Sequence, residues 1–354
     1  MSLTISIPDA LRRSVEAASR GRNTVIYTTK GQPCFMAVLT KYDVSSIDAS
    51  LGSGTHPAFI VDGVEKSEIL IGQYGGSVSN GELVSRPGVA VAQSLNHDEF
   101  DTLARANGTG WHLVTNAEWV ALQLLDWKSG LLSRGNTDHG RSSDDTTEVG
   151  VQESGRVLAT GSAGGGTRVL TGSGPMAWRS GRTPFGASDL SGNVWEWTPG
   201  LRIVAGEIQV IPDNGAASPT ADLSAASTAW MAIDGATGAL VAPGSAGTVK
   251  YAASGTADYT LVCASGAAFE GMTNPGSTPV GTAALQLLKR LGGFPIASSG
   301  LGGDGCWVDV TGERIPLRGG PWNSGRRVGA FALGLHSARG SRSVYTGTRP
   351  AFVA

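Results

Sequence analysis

Glycine takes 52 of the 354 positions and recurs with no fixed period. That is roughly twice its average share. The missing G-X-Y repeat excludes a collagen helix. Hydrophobic residues at 40%, nine tryptophans and a net charge of −2 exclude a disordered chain, which needs low hydrophobicity and high net charge. A chain this rich in glycine is poor in regular secondary structure, because glycine loses the most backbone freedom on folding and favours turns. The expectation is a loop-rich globular protein whose order rests on turns and large aromatic side chains. Its length permits one large irregular domain or two smaller ones.

Charge narrows the partners. With 27 basic and 29 acidic residues there is no global positive field to hold nucleic acid or anionic lipid. No apolar run approaches the ~20 residues that span a bilayer, so no membrane insertion is expected. The first residues, MSLTISIPDALRRSVEAAS, place charges where a signal peptide needs an apolar core. The expected location is therefore cytoplasmic or virion-associated. Cys34, Cys263 and Cys306 lie too far apart for a disulfide framework or a zinc site and read as small buried apolar residues.

Periodicity and capping signals predict helices over 8–20, 97–107, 116–129 and 279–291. The first would bury Leu11, Val15 and Ala18. Asn96 with Glu99, and Thr115 with Glu118, have capping-box spacing. Trp119, Leu122 and Leu125 would form the buried stripe of the third helix. Pro279 would start the fourth, with Leu285, Leu288 and Leu291 along its face. Strands are expected at 24–29 and 35–39 around a Lys30-Gly31 turn, at 248–252 and 259–263, and in a hairpin over 57–74 with Asp62-Gly63 at its tip. Residues 131–185 should be mostly loop.

Several motifs carry little. The glycine run Gly161, Gly164, Gly165, Gly166 mimics a phosphate loop but does not link a strand to a strong helix. Asn107-Gly108-Thr109 is a glycosylation sequon without an export signal. His56, His97, His112, His139 and His336 show no metal-ligand spacing, and no GxSxG is present.

Three stretches are more specific: GWHLVTNAEW at 110–119, DLSGNVWEW at 189–197, and LRGGPW at 317–322, followed by FAL at 331–333 and GTRP at 347–350. Together and in this order they resemble the formylglycine-generating-enzyme branch of the C-type lectin fold. The resemblance covers about 55–200 and 310–352. It implies an α+β fold with a small twisted antiparallel sheet, two main helices (97–107 and 116–129) and long Gly-rich loops. The expected organisation is a small N-terminal segment over 1–50, helix plus hairpin, then a lectin-type domain over 51–354. That domain carries an insert at about 215–305.

These motif residues read first as structure. Trp111, Trp119, Trp195, Trp197 and Trp322 are large apolar side chains suited to a core. Gly192, Gly319 and Gly320 suit backbone shapes closed to other residues. Glu196, between two tryptophans, needs a partner: a backbone amide, an arginine such as Arg318, or calcium. Asp189, Asn193 and Glu196 are oxygen donors at a spacing compatible with calcium, which relatives can hold near this motif. Structural pairing is the alternative.

The resemblance also bears on activity. Oxidases of this family carry a cysteine pair just after the R-G-G-x-W element. Here Asn323 and Val328 occupy those places, and no cysteine follows Cys306. No catalytic residue and no cofactor other than a possible structural calcium is expected. The calcium-dependent sugar motifs of C-type lectins are absent as well: Trp322 is followed by Asn323-Ser324, and no acidic residue follows Glu313.

The tail over 318–350 resembles the variable region of proteins diversified by retroelements, RGGxWxxGxxAGVFALxLxxAxSxxxxxxGFR. There, adenine-directed mutagenesis acts mostly on asparagine codons. Pro321, Asn323, Ser324, Arg326, Arg327, Gly334, His336, Ser337, Arg339, Ser341, Arg342, Ser343, Val344, Tyr345, Thr346 and Thr348 fall at the matching positions, and all belong to the residue set such codons can reach. Thr348 stands where the family has an aromatic. The resemblance implies a non-enzymatic binding protein of phage or prophage, with these positions touching a macromolecular ligand, a protein or glycan on a cell surface. Arg326, Arg327, Arg339 and Arg342 would form a basic face for an anionic partner, with Arg318 and Arg349 paired internally. Two other readings stand beside it: a metal-dependent oxidase-like enzyme of the same fold, and a structural virion component docking through 1–50.

Overall fold

Helices form where side chains can satisfy their first amide groups. In the computed structural model, which describes residues 7–162 and 165–354, both expected capping boxes are present. Asn96 and Glu99 start α2 (His97–Arg105), and Thr115 and Glu118 start α3 (Asn116–Ser129). In α1 (Ile7–Ser19), Leu11 and Val15 are half-buried, but Ala18 faces solvent. Ser19 takes the inner position, exchanging hydrogen bonds with the Asn23 backbone. The fourth helix, α4 (Thr282–Arg290), starts three residues after Pro279, with Gly281 at its cap and Ala284 and Leu288 buried. The segments 1–6 and 163–164, with Gly164 of the glycine run, lie outside the described residues.

α3 departs from an amphipathic reading. Beyond Trp119 and Leu122, it also buries Ala117, Val120, Ala121, Gln123, Leu124 and Asp126, whereas Leu125 is only half-buried. A helix covered on nearly all sides is an interior element. It sits in the largest apolar cluster, with Phe59, Ile71, Ile203, Tyr251, Leu288 and Phe331.

Among the described residues three larger sheets and two two-stranded ones are present, mostly antiparallel, so the architecture is α+β. One joins both ends of the chain, in the order Asn23–Tyr27, Pro33–Thr40, Glu68–Gly72, Pro350–Phe352, Trp111–Leu113. Residues 23–40 are stitched into it, because Pro33–Thr40 pairs with Glu68–Gly72 from Met36↔Gly72 to Thr40↔Glu68. The expected 57–74 hairpin shrinks to two residue pairs, Ile60↔Glu65 and Val61↔Val64, around Asp62-Gly63. The rest of that segment pairs with Pro33–Thr40, which offers a longer apolar partner. A second sheet draws on the insert: Leu201–Val204 and Glu207–Val210 pair with each other and extend to Met231–Ile233, Lys250–Ala252 and Glu313–Arg314.

The third sheet brings the sequence motifs together. Leu317–Arg318 lies between Trp195–Trp197 and Leu333–Leu335, and Thr346–Gly347 runs parallel to Trp195–Trp197 on its other side. Trp111, Trp119, Trp195, Trp197 and Trp322 are all buried, the most exposed being Trp322 at 9%. Cys34, Cys263 and Cys306 are buried free thiols, and burial pushes the Cys34 thiol up to about 11. Among the described residues, no helix is long and apolar enough to cross a membrane.

Candidate functional site

The tail is held from beneath by two buried arginines. Arg349 forks onto Glu196, with Nε donating to Oε2 at 2.8 Å and Nη2 to Oε1, and also donates to the carbonyls of Gly72 at 3.1 Å and Ser188 at 2.9 Å. Its guanidinium also sits 5.7 Å from the Trp119 ring. Arg349 is thus the partner of Glu196, and Arg318 is not. Arg318 donates to Asn116 Oδ1 at 2.7 and 3.1 Å and to the Gly292 carbonyl at 3.0 Å. With no carboxylate to offset its burial, its pKa is pushed down to about 10.

Glycine shapes the turn above them. Gly320 has φ +83°, and a Cβ there would lie 2.2 Å from Val328. Only glycine fits this approach. It lets the chain reverse after Arg318 and leads into Asn323 at the surface.

The expected calcium ligands do not act together. Both Glu196 oxygens are taken by Arg349. The Asn193 side chain accepts from the Val169 amide at 2.8 Å and from Asn136 at 3.2 Å, and donates to the Val169 carbonyl at 3.2 Å. Asp189 accepts from the Gly172 amide at 2.8 Å, and burial pushes its pKa up to about 6. Structural pairing describes Glu196 and Asn193, while the second Asp189 oxygen, Oδ1, is buried without a hydrogen-bond partner. Among the described residues, no group of three or more His, Cys, Asp or Glu side chains is placed to hold a metal ion.

The tail positions divide by depth. Pro321, Gly334, Thr346 and Thr348 are buried, and Thr348 donates to the Trp197 carbonyl at 3.1 Å. Burial keeps Pro321, Thr346 and Thr348 from forming a contact surface. Ser324, Ser337, Arg339, Ser341, Ser343 and Tyr345 are half-buried. Asn323, Arg326, Arg327, His336, Arg342 and Val344 are exposed. Tyr345 packs against Trp322 with ring centres 5.6 Å apart.

The basic face is mostly neutralised. Arg326 meets Asp144 at 3.3 Å. Arg339 reaches Asp98 at 2.8 Å and Glu313 at 3.0 Å, and Arg342 reaches Glu99 at 2.7 Å. His97 and Arg339 hold the Asp98 carboxyl down at about 2. The tail itself holds no acid; its countercharges come from α2, the 131–185 loop and the second sheet. Arg327 differs. Among the described residues, no carboxylate stands within ion-pair distance of it. It donates to the Gly266 carbonyl at 2.5 Å and lies 5.8 Å from the Trp307 ring centre.

Arg327 borders a groove of about 420 Å³ lined by Trp195, Trp307, Asn323, Ser324, Arg327 and His336. Trp195 and Trp307 meet at a right angle, 5.4 Å between centres and 87° between planes, and His336 stands 5.8 Å from Trp195. Partial covering of the imidazole, with the Arg314 charge, lowers the His336 pKa below its ordinary value. The groove offers an aromatic corner, two neutral hydrogen-bonding side chains, an imidazole and a cation. Sequence reasoning had placed four of these residues at a contact surface and Trp195 in the core, but missed Trp307. Its only signal was a tryptophan in the stretch just past the insert that no motif accounts for.

A second cavity, of about 290 Å³, was not anticipated. Its lining includes Arg134, Asp144, Arg182, Asp304 and Arg326. Asp304 accepts from the Phe331 amide at 2.7 Å, and burial pushes its pKa up to about 7.

No protein-family model matches the chain, and no curated protein matches it.

Proposed function

We propose that this is a non-enzymatic binding protein that recognises a macromolecular ligand on a cell surface through its C-terminal tail, on a C-type lectin fold of the formylglycine-generating-enzyme type. One observation carries the reading. Between 322 and 345, buried positions alternate with exposed ones. Trp322, Val328 and 329–335 are buried, while Asn323, Arg326, Arg327, His336, Arg342 and Val344 are exposed. Side chains at the exposed positions can change without disturbing the core, and a rigid scaffold presenting changeable side chains is suited to recognition. Arginine, histidine and tyrosine are effective contact residues because each combines apolar area with hydrogen-bonding atoms. The meeting of the 189–197 and 317–322 motifs in one sheet, tied to α3 through Arg318 and Asn116, supports the fold assignment. The set of contact residues is the exposed and half-buried one, without Pro321, Thr346 and Thr348.

Diversification by a retroelement, in a phage or prophage, is the origin that the tail pattern supports. The test is a near-identical template copy of 321–348, differing only at adenines and lying beside a reverse transcriptase gene; its absence refutes the retroelement origin. The binding surface has its own test. Replacing Asn323, Arg327 and His336 by alanine in the full chain should abolish attachment to the host cell while leaving the unfolding transition in place. Unchanged attachment would place the surface elsewhere.

A further inference from the structure

Each exposed or half-buried arginine of the tail except Arg327 sits on a scaffold carboxylate: Arg326 on Asp144, Arg339 on Asp98 and Glu313, Arg342 on Glu99. Arg327 is exposed, is bound through one nitrogen to a backbone carbonyl, and flanks an indole. A guanidinium with open donors and no countercharge is matched by a planar carboxylate, which it can grip with two hydrogen bonds.

The rest of the groove constrains what carries that carboxylate. Four of its six lining residues, Asn323, Ser324, Arg327 and His336, present hydrogen-bonding groups, and the other two are Trp195 and Trp307. A peptide anchor prefers an enclosed apolar pocket. A nucleic acid needs several free cations along its backbone, and here only one stands unpaired. A pyranose fits both halves of this lining, since its C–H face lies against an indole and its hydroxyl rim meets amide, hydroxyl and imidazole groups.

We propose that the groove binds a carboxylated sugar unit of an acidic glycan. The carboxylate rests on Arg327, the ring lies against the half-buried Trp307 indole with buried Trp195 behind it, and the hydroxyls engage Asn323, Ser324 and His336. This deepens the reading above and rests on it.

The test uses the full chain and calorimetric titration with methyl glycosides of glucuronate, galacturonate and N-acetylneuraminate. Their neutral counterparts and acetate serve as controls. At least one acid sugar should bind roughly tenfold tighter than its neutral counterpart, as expected for one charge-assisted contact. Acetate should not displace it, and added salt should weaken it. Arg327→Ala should remove the tenfold preference, whereas Lys41→Ala, whose ammonium sits on Glu65 outside the groove, should keep it. The proposal falls if no acid sugar outbinds its neutral counterpart, if acetate competes equally, or if folded R327A retains the preference. Failure of the surface reading looks different. If the Asn323, Arg327 and His336 variant loses cell attachment but free acid sugars do not compete for that attachment, only the sugar assignment is wrong. If that variant still attaches, the surface itself is wrong.

Discussion

Removing Arg349 should expose how far the fold depends on one ion pair. Arg349→Met deletes both hydrogen bonds to Glu196 and those to the Gly72 and Ser188 carbonyls. Breaking a buried pair from one side costs ~3–5 kcal/mol, because the remaining charge keeps its desolvation penalty. Each orphaned carbonyl adds about 1 kcal/mol. The expected total of about 6 kcal/mol is comparable to the whole stability of many domains. Glu196→Met alone strands Arg349 and should cost about 4 kcal/mol. The double variant R349M/E196M removes both charges and keeps apolar volume, so it should cost only about 2 kcal/mol, mainly from the two carbonyls. Urea unfolding near pH 7, with unchanged m-values, measures all three. If R349M does not fold, the milder Arg349→Lys takes its place and should still be less stable than the double variant. The reasoning is refuted if R349M costs less than about 1 kcal/mol, or if the double variant costs the sum of the singles.

Three further outcomes follow from the same geometry. The folded-state pKa of Asp304 is raised to about 7 from 3.8, so the native state holds an extra proton between these values. Its contribution therefore favours folding at the acid end and is lost as pH rises through about 4 to 7. Asp304→Asn should flatten that decline by on the order of 3 kcal/mol, read from urea midpoints between pH 4.5 and 7.5, and an unchanged slope would contradict it. Arg339, 13% exposed and bridging Asp98 to Glu313, should cost about 2 kcal/mol when changed to alanine. Arg342→Ala, at an exposed pair, should stay within ~0.5 kcal/mol, so equal costs in denaturation would refute the distinction. Gly320→Ala, with Val328 2.2 Å from the new carbon, should lose more than about 3 kcal/mol, whereas Gly340→Ala, with nothing within 4 Å, should be nearly neutral by thermal unfolding.

What was legible in the sequence was local. The capping boxes at Asn96 and Thr115 need only residues three apart, so spacing alone located α2 and α3. Tryptophan burial was legible because no surface position suits five such side chains in motif contexts. Pairings across the chain were not. Glu196 required a partner, yet nothing local distinguishes Arg349 from Arg318; the register of Leu317–Arg318 against Trp195–Trp197 and the path of Gly72 and Ser188 decide it. The tail read as a basic face because it contains no acid after Glu313, but Asp98, Glu99 and Asp144 reach it from elsewhere. Alternation along the tail suggested display, whereas depth depends on strand pairing, and that pairing takes Thr346 and Thr348 inward.

The strand Pro350–Phe352 lies between Glu68–Gly72 and Trp111–Leu113, not at an edge. It leaves the ribosome after both neighbours, so during synthesis the sheet stands split, with a slot that only the tail can fill. Closing it demands contacts across most of the chain, a slow step for any fold. Any substitution between Trp322 and Thr346 is therefore tested first by folding: a tail that cannot seat Arg349 and its strand leaves the sheet open. The fold makes its own assembly the first filter on any change in the tail.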